Sequence, residues 1–534
     1  MVTFSMTGNG RRRARRRRGG IIAAVAVATI VLASCSGGGD GGTGPTSNGD
    51  AGASSSDAAI DTSAVLRVGL GGTVPVLNPG AGTGGGDQQI LYLLYDRLTT
   101  FDPETGEVLP NLAKSWEFSD DGTEFRMELE TGVMFHDGTE LDAEAVAFSL
   151  DYYKELGVQL DLAPVESVEV VSPTEVLLHL SRPYSSLPAV LGDRAGMIVS
   201  PTAVETLGEG FAAAPVGTGP YRFASQVAGS SVSLERFDDY WKGEPRLAGM
   251  TITTYSDETA RLAAAQSGQL DVAITLGLPD VETARAIPGM EVIETPSLRF
   301  GQLFLNSAIP PFNDPNVRLA LNHAVDRQAY VDAVTEGLGA IAFGPFPESS
   351  VYFNSADAFP YDLDEAKALM AKSGSPAVDV SCLSFNAVGN EVTGPLMVAQ
   401  AKEIGINMRL DVREPAAAIA AMATGDESCL FSAWTGRPDP AISLNSLYSS
   451  TGTYNYGQAT HGRIDELLAI VDSTFDQDER AAAIRDVVGE LTVEAPHVPL
   501  YVNPLFDLVG ENVVDWEPNF QGKVDFSGVA LSQG

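Results

Sequence analysis

The chain has 534 residues, 44% hydrophobic and 19% charged, with 70 Asp and Glu against 33 Lys and Arg. That length exceeds what a single hydrophobic core supports, so two or more lobes are expected. A formal net charge of −37 argues against nucleic acid or an anionic lipid surface as partners, and it suits an exported protein that must stay soluble.

The N-terminus sets the compartment. Seven Arg, at Arg11–Arg13 and Arg15–Arg18, form a basic block with no acid near it. Ile21 to Ala33 is then an apolar run of 13 residues ending in small side chains. This is the order of a signal peptide, and the run is short of the roughly 20 residues of a membrane span. The end of the segment, Leu32-Ala33-Ser34-Cys35, resembles the lipobox of bacterial lipoproteins. That resemblance implies that Cys35 takes a diacylglyceryl group and becomes the first mature residue. Each buried methylene adds about 0.8 kcal/mol, so two or more acyl chains anchor a protein stably. Residues 1–34 read as the signal peptide, exported by the general secretory route. Residues 35–63, rich in Gly, Ser, Asp and Thr, read as a flexible tether that cannot offset its own ordering entropy.

The folded body opens with a strand at 65–70, a Gly-rich loop and a helix over 87–98. Residues 111–135 are short β pieces, with Asp120-Asp121-Gly122 as a hairpin turn. Asp142 is placed to cap a helix over 142–156, and 165–181 reads as a hairpin turning at Ser172-Pro173-Thr174. After a Gly/Pro-rich crossing segment (215–223) come strands at 231–237 and 250–255. A helix follows, with Ser256 as cap and Gly268 as stop, and then a buried strand at 270–274.

A second half begins near 302. Asp314-Pro315 starts a helix predicted to run to 334, with Val317, Leu321, Ala324 and Val325 on one face. Asp364 opens a helix that Gly374 ends. Strands at 378–385, 406–412 and 429–434 alternate with helices at 391–404 and 415–423, the order of a mostly parallel, helix-covered sheet. A helix over 478–494 and a strand-forming tail from 498 close the chain. Cys382 and Cys429 fall in two of these strands. Export permits a disulfide between them, but the sequence leaves open whether the strands are neighbours.

The segment LAKSWEFSDDGTEFRMELETGVMFHDGTELDAEAVAFSLDYYK (112–154) resembles the signature region of family 5 extracellular solute-binding proteins, the oligopeptide-, dipeptide- and nickel-binding components of ABC importers. GTGPYRF (217–223), ARLAAAQSGQLDVAI (260–274), PPFNDPNVRLALNHAVDRQAYV (310–331) and YDLDEAKALMAKSG (361–374) agree in the same order. The resemblance implies an α/β, two-lobe periplasmic-binding-protein-like fold of the large class II type, with a β-rich insertion in the first lobe. The expected division is 64–96, 217–301 and 500–534 as the first-lobe core, 97–216 as the insertion and 302–499 as the second lobe. It also implies a small-molecule ligand enclosed between lobes that close on a hinge. The implied partners are permease transmembrane subunits and the membrane, reached through the lipid anchor. The folded body is expected to be a monomer.

Peptide-binding relatives fix a ligand's α-amino group with an Asp three residues after a strand-end Trp. Here the strand-end residue is Trp434, and the aligned position is Arg437. A guanidinium binds carboxylates or phosphates and cannot accept an ammonium, so a free peptide amine is disfavoured there unless Asp439 reaches the same place. Trp434 is a candidate to stack on the ligand, with Tyr454 and Tyr456 as further cleft candidates. Asn306 resembles a family position near the hinge, where backbone groups compete for its side chain.

Signals for catalysis are weak. There is no P-loop, HExxH, GxSxG or CxxC pattern, and His136, His179, His323, His461 and His497 show no paired spacing. The glycines from Gly80 to Gly85 fit a dinucleotide fingerprint by letter, but they lie too far past their strand. No cofactor and no protein-held metal are expected, although nickel relatives hold metal through a chelator, which leaves a metal complex open as ligand. The alternative reading is a secreted hydrolase or a ligand-sensing lipoprotein on the same fold.

Overall fold

Two long strands lie at the centre of the main sheet and link its two halves: Met290–Leu305, of 16 residues, and His497–Gly510, of 14. At about 3.3 Å per residue each spans roughly 45–55 Å, enough to pass through both lobes. The computed structural model that shows them describes residues 59–533, apart from 73–75, 82–86, 104, 158, 347–349, 354–358, 386–389, 459–461 and 519–520. The signal peptide, Cys35, the tether as far as residue 58, most of the glycine loop at 80–85 and His461 lie outside the described residues. Among the described residues no helix is long and apolar enough to cross a membrane.

The two crossing strands pair antiparallel, Met290 opposite Gly510 and Phe304 opposite His497. Their ladder breaks at mid-length: regular pairing stops at Thr295–Leu505 and resumes at Arg299–Asn503. Pro296 and Pro504 fall inside that gap. Proline has no N–H to give a ladder, so the sequence itself places the bulge there.

Around these strands the chain builds one 11-stranded sheet. On the first-lobe side Val65–Gly71 lies parallel between Gly249–Tyr255 and Val272–Ile274, and Ser231–Arg236 and Tyr221–Val227 extend the edge. Leu66 and Val68 are fully buried, because parallel strands are covered on both faces. On the second-lobe side Val378–Phe385 lies parallel between Ile406–Arg413 and Cys429–Thr435. The sheet is therefore two parallel trios joined through antiparallel strands. Cys382 stands opposite Cys429 with Cα atoms 4.6 Å apart, and the two are joined as a disulfide.

The β-rich insertion is a separate antiparallel sheet in the order Ala113–Phe118, Glu124–Leu129, Glu175–Leu180, Val165–Ser172. The helix Ala143–Leu156 backs it. The Asp142 carboxylate accepts from the Ala145 N–H at 3.0 Å, and Gly157 ends the helix at φ 68°. The His136 turn ties the insertion to the GTGPYRF segment: His136 Nε2 lies 2.9 Å from the Gly219 carbonyl, and burial pushes the imidazole down to about 4.

Four expectations need correction. The helix predicted over 87–98 ends at Leu94: Tyr95 is already extended, and beyond it the Asp96 carboxylate accepts from Trp241 Nε1 (2.8 Å) and the Tyr240 hydroxyl (3.1 Å), contacts that fix the chain in its non-helical course. The cap predicted at Ser256 is Asp257, which accepts from the Ala260 N–H. The helix expected to start at Asp364 starts one residue earlier, at Leu363, because Asp362 caps it by accepting from the Asp364 and Glu365 N–H groups. The helix predicted over 315–334 is two, Pro315–Ala324 and Arg327–Val334. Asp326 caps the second, and the buried Arg327 guanidinium donates to the carbonyls of Asn322 (3.0 Å) and Pro499 (2.8 Å) across the break. The two ends of the body meet: Ile60 bridges Ser532, and the Gln533 N–H donates to the Ala59 carbonyl at 2.7 Å.

Candidate functional site: an interlobe cleft

A cleft of about 840 Å³ opens beside the bulge in the crossing strands. Ser297–Arg299 and Leu505 form its floor. The first lobe contributes Gln88, Asp161, Asp193, Arg194 and the C-terminal Lys523, and the second contributes Trp434–Pro438 and Tyr454.

The segment after Trp434 is held by few but specific contacts. Ser443 Oγ accepts from Trp434 Nε1 at 3.0 Å and from the Arg437 N–H at 3.2 Å. The Gly436 N–H donates to the Leu298 carbonyl at 3.1 Å, and a Cβ at Gly436 would collide with the Leu298 side chain. The second-lobe loop is thus pressed onto the bulge. Arg437 lies 5.3 Å over the Trp434 ring and donates Nη1–H to the Thr435 carbonyl at 3.2 Å. Trp434 packs edge-on to Tyr454 with centroids 5.2 Å apart, and the two rings wall the cleft.

The structure brings together Trp434, Arg437 and Tyr454 among the sequence candidates. The others lie elsewhere. Tyr456 is buried behind Tyr454, edge-on to Phe304, and does not line the cleft. Asp439 caps the helix Pro440–Tyr448 and pairs with Arg480 at 2.9 Å, so its carboxylate is spent inside the second lobe. Asn306 is fully buried. Its amide donates to the carbonyls of Gly425 and Glu427, and its Oδ1 accepts from the Ala308 N–H, which leaves nothing for a ligand.

Charge dominates the first-lobe wall. Burial alone would raise Asp193, but Lys523, Arg437 and its hydrogen bonds outweigh it and hold it at about 2. Asp193 lies 3.5 Å from Lys523 and accepts from Gln88, from the Tyr92 hydroxyl at 3.2 Å and from the Arg194 N–H at 2.7 Å. Burial pushes Lys523 down to about 8 against the pull of Asp193. Asp161, on the short turn Leu160–Leu162, is raised by burial, with Arg437 opposing. Sequence reasoning missed Asp161, Asp193 and Lys523, which belong to no local pattern. Among the described residues no three His, Cys, Asp or Glu side chains gather into a metal-sized cluster.

The lobes also touch outside the cleft. The insertion's Arg182 pairs with Asp472, and Ser185 donates N–H (2.9 Å) and Oγ–H (3.0 Å) to the carbonyls of Asp472 and Val471. From the second lobe, Arg480 donates to Ser185 Oγ and Ser186 Oγ, both at 2.9 Å. Phe118 packs on Phe475 with centroids 4.6 Å apart.

The model of bacterial extracellular solute-binding proteins, family 5 (middle), matches residues 107–455. The chain belongs to that family. The glutathione-binding protein GsiB of Salmonella paratyphi A is 28% identical over 424 residues, covering 75% of this chain and 82% of the relative. Among solved structures, the ABC transporter-associated periplasmic binding protein DppA of Helicobacter pylori, in complex with the peptide STSA, superposes with TM-score 0.78 at 25% identity, covering 88% of this chain and 99% of that one. AgaA of A. tumefaciens R10, in complex with agropinic acid, does so with TM-score 0.75 at 26% identity and the same coverage. These family 5 relatives are binding proteins, and the two-lobe fold is shared with them.

Proposed function

We propose that the protein is the capturing component of an ABC importer, exported by residues 1–34 and held at the outer membrane face by lipid on Cys35. The moving units in this reading are 64–96 with 217–301 and 500–534, carrying the insertion 97–216, against 302–499. The observation that carries it is the cleft: side chains of both lobes converge where Pro296 and Pro504 interrupt the two connecting strands. Closure draws its free energy from contacts the solute makes with both walls, and the closed form is what permease subunits then receive.

The solute is a peptide, a peptide-like molecule or another small carboxylated compound. The family relatives are named for, or hold, glutathione, the peptide STSA and agropinic acid, which supports that class. Arg437 binds a carboxylate through two parallel N–H donors, and Trp434 and Tyr454 give the apolar wall.

Mass spectrometry of protein purified from its native membrane should recover a bound solute unchanged. Adding that solute at a hundredfold excess over its Kd should raise the unfolding free energy by about 2.7 kcal/mol. Recovery of a cleaved product instead, with turnover of added solute, would replace capture by hydrolysis. Cys35→Ala should keep solute binding but move the protein from the detergent phase to the aqueous phase; a variant that still partitions into detergent would end the lipid-anchor reading.

A further inference from the structure

Among the described residues five non-glycine positions have a positive φ: Thr275, Glu336, Gln458, Ala495 and Asp515. Thr275, at φ 55°, is the β-branched one and the one that lines the interlobe cleft. In the left-handed region a branched Cβ crowds the backbone, so something must hold Thr275 there. Ala495, by contrast, ends the helix Gln477–Glu494, where that conformation is ordinary.

Two buried side chains from different elements hold it. The strand Val272–Ile274 pairs with the crossing strand through Val272–Val509 and Ala273–Leu508. Asp507 then replaces the next backbone pair with its side chain. The Thr275 N–H donates to Asp507 Oδ1 at 2.7 Å, and backbone bonding returns at Leu276, whose N–H donates to the Phe506 carbonyl at 2.7 Å. From the other side the fully buried Arg261 donates Nη1–H to the Ile274 carbonyl at 2.7 Å and Nη2–H to the Thr275 carbonyl at 3.1 Å, with Glu258 as its ionic partner at 2.6 Å. Gly69 and Gly71 make room for it: a Cβ on Gly71 would lie 3.2 Å from Arg261 Nη1, and one on Gly69 3.3 Å from Arg261 Cγ. Asp507 is 3% exposed, and burial pushes it up to about 6 although the Thr275 N–H, the Trp516 indole at 3.3 Å and Arg261 all favour its charge. An apolar residue there would let the ladder continue without burying a carboxylate.

Both backbone groups of Thr275 are thus bonded inward, and its hydroxyl has no hydrogen-bond partner among the described residues. Local strain of this kind persists where the surroundings over-determine it, and it gathers at ligand clamps. Resting on the capture reading above, we propose that Thr275 is a solute-contacting residue of the first-lobe wall, its hydroxyl aimed at the cargo by Asp507 and Arg261 as positioning residues. The fold accepts a less stable backbone at one point, and in return a hydrogen-bonding group is fixed before the solute arrives.

Thr275→Gly gives the sharpest test, because glycine adopts this backbone freely. Without solute, its melting temperature should equal or exceed that of the unaltered protein. Calorimetry with glutathione, the peptide STSA and agropinic acid should show the tightest-bound probe weakened about fivefold to tenfold, the contribution of one hydrogen bond. A residue with a merely structural role would lose melting temperature and affinity together. Thr275→Ser keeps the hydroxyl and should bind as the unaltered protein does. Asp507→Ala should weaken binding in the parent chain but add nothing in the Thr275→Gly background, since it acts through Thr275. Full affinity in Thr275→Gly, a lowered melting temperature in that variant, or additive losses in the double variant each overturn the proposal while leaving capture intact. If the unaltered protein binds none of the three probes, the peptide-like solute class fails instead. Retention of the co-purified solute by the same variants, read by mass spectrometry, then decides the role of Thr275.

Discussion

At the contact between the insertion and the helix Gln477–Glu494, Arg480 divides its donors between Asp439, at 2.9 and 3.0 Å, and the hydroxyls of Ser185 and Ser186. Asp472 there is matched by Arg182 and by the Asn445 amide at 3.0 Å. Across the cleft the same two lobes leave charge in water: Arg299 is exposed, and Arg437 is half-exposed with the Thr435 carbonyl and the Trp434 ring as partners. One face is complete without a third molecule and the other is open to one. A protein that must hold its shape and also seize cargo separates those tasks in space.

The comparison breaks first at Arg480. Arg480→Ala leaves the Asp439 carboxylate buried without a cation, and urea unfolding should show a loss of about 3–5 kcal/mol. A loss as small as that of an exposed pair would mean the completed face contributes no more than surface ion pairs do.

A smaller effect separates the faces by pH. The Lys523 pKa is depressed to about 8, so between about 8 and 10.5 the unfolded chain holds the extra proton. Stability therefore rises with pH across that window, by up to about 1.4 kcal/mol per unit from this group. Affinity for an acidic solute should move the other way, falling as the lysine loses its charge. Calorimetry and urea melts from pH 7 to 10 check both slopes, and Lys523→Met should flatten them. Parallel slopes would remove Lys523 from the cleft's electrostatics.

The smallest expected effect is at Ser443, which touches no cargo in this reading. Ser443→Ala removes the acceptor shared by Trp434 Nε1 and the Arg437 N–H, and should weaken solute binding by about 1 kcal/mol with little change in melting. Full affinity in that variant would show that the loop holds its shape through Gly436 and Leu298 alone.

The strands of the second lobe were legible because they are local. Val378–Phe385 and Cys429–Thr435 are β-forming runs bounded by turn residues, and the reading placed both within a residue. The crossing strand Met290–Leu305 was not foreseen as one element, because Pro296 signals an end rather than a bulge. Arg437 was legible as an exception within a recognisable pattern. Thr275 was not, since its backbone is held by Asp507, a residue 232 positions away in the chain. Asp439 misled for a related reason: beside Arg437 it suggests a ligand carboxylate, yet Asp-Pro at a helix start equally describes a cap, and Arg480 settles the choice.

The pairing of Ile60 with Ser532 has an engineering consequence. Because both ends of the body lie side by side, a short linker could fuse residue 533 to residue 59, and the chain could be reopened at the exposed hairpin tip around Gly229. Such a permutant would keep every contact around the cleft while moving both chain ends to another part of the surface, so that the direction in which the cleft faces a fused or surface-coupled partner becomes an adjustable variable.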